Sequence, residues 1–178
     1  LHSWPGTNKP FEIVRDYELP EYVDEKTLFI SSSYSGNTEE TLAALTEAQK
    51  RGAQIVVIAA GGKLTERAHE MDAPLFTIPG VLQPRMSSLY FLNAFINLLE
   101  TLGLGKKGAA KEWHEAGEWL QHQSASWQPE IPTNDNPAKK LALELIGKSV
   151  VVYSGPKLFP SANKFKICLN ENAKNVAW

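Results

Sequence analysis

The chain has 178 residues, 43% hydrophobic and 21% charged, with 20 acidic against 18 basic side chains and a net charge of −2. That is room for one full domain and the start of a second, with ordinary globular composition. There is no basic stripe to hold nucleic acid and no apolar run of the roughly 18 residues that span a bilayer, so neither a nucleic acid nor a membrane is expected as partner. The single cysteine, Cys168, has no internal disulfide partner, which points to a reducing, cytoplasmic setting. Leu1-His2-Ser3-Trp4 has neither an initiator Met nor a signal-peptide pattern, and the chain stops at Ala177-Trp178 directly after a predicted helix, so it reads as part of a longer protein.

Thr27–Ser32 is a short apolar run before a Ser/Gly/Asn turn and predicts a buried strand. Thr38–Arg51 favours helix, with Leu42, Leu45 and Ala48 on one face and Gly52 just past its end. Gln54–Ala60 (QIVVIAA) is the clearest strand, a continuous Val/Ile run suited to a sheet covered on both sides. Gly61-Gly62 turns the chain into a short helix, Lys63–Met71, and Pro74–Pro79 predicts a third strand. Arg85–Leu104 is a long helix whose Leu89, Leu92, Ile96 and Leu99 are expected to face inward. Strand and helix alternate here as in a parallel sheet flanked by helices, whose ligands bind beyond the carboxyl ends of the strands.

After Gly105 the character changes. Ala109–Trp127 is a polar helix carrying Trp113 and Trp119, and Gln128–Pro137 is a Pro/Asn/Asp-rich linker. A helix at 138–147, a strand at Ser149–Ser154 and a helix at 160–174 begin a second α/β unit. The expected division is therefore a first domain at 1–127, a linker at 128–137 and the beginning of a second domain at 138–178.

The turn Ser33-Tyr34-Ser35-Gly36-Asn37-Thr38 gathers three hydroxyls and two flexible positions between a strand and a helix. A helix N-terminus offers unpaired N–H groups and a partial positive charge, so an anion is favoured there. Gly36 allows close backbone approach and the hydroxyls add donors, while the lack of a lysine in the turn argues against a P-loop nucleotide site. Plain N-capping, with Glu39 or Glu40 completing a capping box, explains the same composition, and composition alone favours it.

SYSGNTEET resembles the sugar-phosphate-binding loop of sugar isomerase (SIS) domains, and is most similar to that of the archaeal-type bifunctional phosphoglucose/phosphomannose isomerases. The likeness extends upstream to Tyr17-Glu18-Leu19-Pro20 and Tyr22-Val23. Downstream it takes in Arg51-Gly52-Ala53, Gly61-Gly62-Lys63-Leu64, Gln83-Pro84-Arg85, Phe165-Lys166 and Leu169-Asn170-Glu171-Asn172-Ala173-Lys174. It covers most of the chain and is weakest between about 105 and 137. The fold it implies is a three-layer α/β/α sandwich with a parallel sheet, flavodoxin-like, followed by the start of a second similar domain. The activity it implies is interconversion of glucose 6-phosphate, and of mannose 6-phosphate, with fructose 6-phosphate through an enediol, without metal or organic cofactor.

Residue by residue, the resemblance implies that Ser33, Ser35 and Thr38 hold the phosphate, with Gly36 and Asn37 supporting the loop. It implies Arg85 as the electrostatic stabiliser of the enediolate, a role suited to a permanently charged guanidinium. It implies Glu171 as the base that shuttles a proton between carbons 2 and 1, for which a partly desolvated carboxylate is apt. A homodimer in the cytoplasm and a place in glycolysis and gluconeogenesis follow from the same likeness. Ile167 and Cys168 stand where the family pattern leads one to expect Thr and Gln. His2, His69, His114 and His122 match no catalytic histidine of the family, whose position falls beyond the residues given. Cys168 reads as a small buried residue rather than a nucleophile, and no His/Cys/Asp cluster has metal-ligand spacing. Two rivals remain: an SIS domain that senses a sugar phosphate without catalysis, and the isomerase half of a hexosamine-forming amidotransferase or a phosphoheptose isomerase. The LNENAK segment favours the isomerase over both.

Overall fold

The structure is a computed structural model that describes residues 7–80 and 83–178, so the expectations placed on Leu1–Trp4, His2 among them, lie outside the described residues. The chain divides into two compact units, one built from residues 7–107 and the other including residues 108–178.

In the first unit three parallel strands lie in the order β1-β2-β3, with β1 at Leu28–Ser33, β2 at Gln54–Ala59 and β3 at Leu75–Thr77. Helices α1 (Glu39–Lys50) and α2 (Gly62–Glu70) form the crossovers, and α3 (Ser88–Thr101) follows β3 after a short 3₁₀ turn at Pro84–Met86. The burial pattern assigns the layers. On one face Leu45 and Ala48 of α1 and Leu64 and Ala68 of α2 pack over Val57, Ala59 and Phe29. On the other, Ala94, Phe91 and Phe95 of α3 cover Ile58, Ile78, Ile30 and Phe76. Helices therefore cover both faces of the parallel sheet in a three-layer α/β/α arrangement, as the unbroken Val/Ile run of β2 leads one to expect. Residues 7–26 are held to this unit by Arg51, whose guanidinium donates to the carbonyl of Pro20 (2.7 Å) and to Glu47 (2.9 Å).

Two details differ from the periodicity. Leu89, the second residue of α3, is 52% exposed. The buried set is Ala94, Ile96, Leu98 and Leu99. The third strand has three residues, since Val57–Ala59 is the only stretch of β2 with which it pairs.

In the other unit α4 (Ala109–Ser124), α5 (Pro137–Leu145) and α6 (Phe159–Glu171) appear near their expected places. The Pro/Asn-rich stretch is a built turn around Asn136, which is 0% exposed: its carboxamide donates to the Gln128 carbonyl and accepts from the Lys139 N–H at the start of α5, 3.0 Å each. The Lys139 ammonium reaches the carbonyls of Pro129 (2.6 Å) and Ile131 (2.8 Å). Among the described residues the expected strand at Ser149–Ser154 forms one parallel bridge, Val150 to Ala177. Three hydrogen bonds at Val150 and Val152 pair it with residues 176–178, and Val151 and Tyr153 are exposed.

Candidate active site

Strand β1 delivers Ser33 at its carboxyl end and α1 opens at Glu39, so residues 33–38 form the connection at the end of the sheet where α/β ligands gather. Ser33 is buried and its Oγ lies 2.9 Å from the Thr38 Oγ1. The same Ser33 oxygen accepts the Gly36 N–H (3.2 Å), and the Ser35 hydroxyl accepts the Asn37 N–H (3.2 Å). Thr38 stands at the N-cap position yet makes no side-chain cap bond, and no capping box closes the helix. The hydroxyls are thus organised toward one another across the loop rather than spent on capping α1. Ser31, on the same strand face two residues earlier, is also buried, and its hydroxyl has no hydrogen-bond partner.

A second turn backs the loop. Gly36 has φ +67°, and a Cβ placed on it would fall 1.8 Å from the Gly61 carbonyl oxygen. Gly62 has φ +73°, and a Cβ there would fall 2.3 Å from the Ser35 carbonyl oxygen. Glycine is required at both, for backbone conformation and for space. The Asn37 side chain bridges the two turns, donating to the Ser35 carbonyl (3.1 Å) and accepting the Lys63 N–H (3.2 Å). Two backbone bonds complete the join, Leu64 N–H to the Gly36 carbonyl (2.9 Å) and Ala60 N–H to the Tyr34 carbonyl (3.3 Å). Sequence reading assigned Asn37 a supporting place but missed the part of Gly61-Gly62 in the site. The available signal was a second glycine turn at the carboxyl end of the neighbouring strand.

The loop is flanked by acid as well. Glu39 and Glu40 occupy the first turn of α1, where carboxylates suit the helix dipole. Tyr17 reaches over them, its hydroxyl 3.5 Å from Glu39, and the charge of Glu40, then partial burial and Glu39, hold its pKa above the ordinary phenol range.

Arg85 sits in the 3₁₀ turn between β3 and α3 of the same unit, half-buried, its guanidinium 3.4 Å from the Gln83 side-chain oxygen. Glu171 belongs to the other unit. It is the last residue of α6 and is exposed. Beyond it the chain turns back through Lys174 at φ +54°, and the Asn170 side chain secures that turn by donating to the carbonyls of Asn175 (2.9 Å) and Ala177 (3.4 Å). Cys168 is half-buried on the same helix. Among the described residues no three His, Cys, Asp or Glu side chains are grouped to hold a metal ion, and no helix is long and apolar enough to cross a membrane.

Residues 6–92 match the SIS domain family, and residues 134–178 match the bacterial phospho-glucose isomerase C-terminal SIS domain. Fold and loop therefore define an SIS-domain protein. Among curated proteins the chain is similar to a bifunctional phosphoglucose/phosphomannose isomerase of Caldicellulosiruptor bescii, 41% identical over 172 residues, covering 95% of this chain and 50% of that protein. The same enzyme of Aquifex aeolicus is 37% identical over 171 residues, 96% of this chain and 49% of the relative. The chain belongs to the SIS-domain proteins, and nearly all of it is similar to part of these isomerases. It spans about half the length of the curated relatives it matches. A D-glucosamine-6-phosphate 4-epimerase of Sulfolobus acidocaldarius is also similar, 32% identical over 184 residues, 97% of this chain and 56% of the relative, so the reaction has to be argued from residues.

Proposed function

We propose that the protein to which this chain belongs is an aldose–ketose isomerase that interconverts glucose 6-phosphate, and mannose 6-phosphate, with fructose 6-phosphate. The observation that carries the reading is the loop at 33–38, whose Ser33 and Thr38 hydroxyls meet at 2.9 Å at the mouth of α1 without capping it. Such a set of hydroxyl and backbone donors at a helix N-terminus suits a phosphate dianion. Ser33, Ser35 and Thr38 then anchor the phosphate, and Gly36 and Asn37 shape the loop.

The chemistry needs a base and a countercharge. Glu171 takes the proton from carbon 2 of the aldose and returns it to carbon 1, while the hydroxyl proton moves between the two oxygens, so atoms balance through a cis-enediol. Arg85 offsets the negative charge that develops on the enediolate oxygen. The reaction as written calls on no metal or organic cofactor. The names of the similar isomerases support the assignment. The matches at 6–92 and 134–178 support two SIS domains, expected at 1–127 and from 138 on with a linker at 128–137, although the second match begins at 134 and the compact units divide after residue 107. A cytoplasmic homodimer acting in central carbohydrate metabolism, with no nucleic-acid partner, completes the proposal. A coupled assay of the complete protein tests it, with fructose 6-phosphate and mannose 6-phosphate offered separately. Turnover of both is expected. Binding of sugar phosphate without turnover of either would make it a sensor instead.

A further inference from the structure

We infer that the β2–α2 turn is a positioning device for the phosphate loop, with Gly62 and the Asn37 carboxamide as its working parts. The inference rests on the phosphate reading of residues 33–38 and says what holds that loop in shape.

The loop's own bonds are local. Ser33 and Ser35 each accept an N–H from a residue two or three further on, and such short-range bonds close small turns without fixing where the turn points. Its position is set by the neighbouring turn. Three hydrogen bonds cross from one to the other: Asn37 Oδ1 with the Lys63 N–H, the Gly36 carbonyl with the Leu64 N–H, and the Tyr34 carbonyl with the Ala60 N–H. Only the first uses a side chain, and that side chain also holds the Ser35 carbonyl, so Asn37 links the hydroxyl-bearing residue to the start of α2. Contact at the two glycines is backbone against backbone. A methyl group at either must displace a carbonyl, which has no rotamer by which to yield. Leu64, whose N–H donates to the Gly36 carbonyl, is 0% exposed on the buried face of α2, so the clasp is rooted in the core of the sheet. A loop held in this way meets the phosphate already shaped, and binding does not have to order it. Loosening the clasp is therefore expected to weaken phosphate affinity and to leave the proton-transfer step, which other residues perform, nearly unchanged.

The test measures binding of fructose 6-phosphate and of inorganic phosphate by calorimetry, and kcat and KM, on the complete protein. Asn37→Ala and Gly62→Ala are compared with Ser33→Ala and with Gly103→Ala. Gly103 also has a positive φ (+66°), but nothing lies within 4 Å of a Cβ placed there, so that variant reports the backbone cost of alanine alone. Asn37→Ala and Gly62→Ala are each expected to weaken both ligands by the same factor, about tenfold or more for the loss of bonds to a charged-ligand loop. KM should rise in step and kcat should stay within about threefold. Gly103→Ala is expected to lose stability and keep its affinity. If Gly62→Ala does not fold, Asn37→Ala decides. Wild-type affinity for both ligands in Asn37→Ala, with Ser33→Ala weakened, overturns the clasp and spares the phosphate reading. Wild-type affinity in Ser33→Ala as well overturns both.

Discussion

At the scale of single residues, Thr38 separates the two explanations of its own loop. As an N-cap its hydroxyl would accept from the first turn of α1, and its loss would cost about 1 kcal/mol of stability. The hydroxyl instead faces Ser33. Thr38→Val, nearly isosteric, removes the hydrogen bond to buried Ser33 and is expected to cost about 1 kcal/mol, much as a lost cap would. The separating result is therefore inorganic phosphate binding, which is expected to weaken roughly tenfold or more, the scale of one hydrogen bond to a charged group. Calorimetry beside a urea titration checks both halves. Tyr17 carries a prediction about pH. The charge of Glu40, then partial burial and Glu39, raise its pKa, and the hydrogen bond to Glu12 does the same first of all for Tyr22. A raised pKa favours the neutral phenol in the folded state. Its contribution is thus whole below the ordinary phenol value near pH 10 and is lost as pH rises through the higher folded value. Tyrosinate absorbance should show two late-titrating groups. Tyr17→Phe should remove one of them and blunt the alkaline loss of stability; an unchanged alkaline limb would contradict the assignment.

At the scale of elements, the sheet is held by the residues that periodicity singles out. Leu45 is fully buried between α1 and β2 together with Val57 and Leu64, so Leu45→Ala is expected to cost about 2–5 kcal/mol in a denaturant titration. Strands β1 and β2 and helices α1 to α3 were legible because each signal is local: a Val/Ile run, a three-and-four spacing, a glycine at the stop. What escaped depends on neighbours. Leu89 fits the inward spacing of α3 yet lies exposed in its first turn, while the buried residues Ala94, Ile96, Leu98 and Leu99 lie further along the helix. The run at 149–154 has strand composition, but a strand is made by its partners, and among the described residues one bridge to Ala177 is its ladder. The stretch at 128–137 has the composition of a linker and is nevertheless tied together by the buried Asn136, a set of side-chain-to-carbonyl bonds that no periodicity announces. The candidate site, whose roles are proposals, divides in the same way. Ser33, Ser35 and Thr38 were visible as a cluster of hydroxyls, whereas the part played by Gly62 depends on two turns that are 26 residues apart in the chain and adjacent only in the fold.

For the whole molecule, the chain joins two compact units, and the proposed roles are distributed over both. The phosphate loop and Arg85 belong to residues 7–107, and Glu171 to residues 108–178. The division of labour makes the account open to a sharp test, because anchoring and proton transfer are assigned to different stretches of chain. The measurement is steady-state turnover and substrate binding in Glu171→Gln of the complete protein, with fructose 6-phosphate as substrate. Glutamine keeps the shape of the side chain and cannot accept the proton. The account predicts a fall in kcat of about 10²- to 10⁴-fold, the range supplied by a positioned general base. Binding of fructose 6-phosphate should stay within a few-fold of the wild type, since the phosphate is held elsewhere. Unaltered turnover in Glu171→Gln would contradict the mechanism.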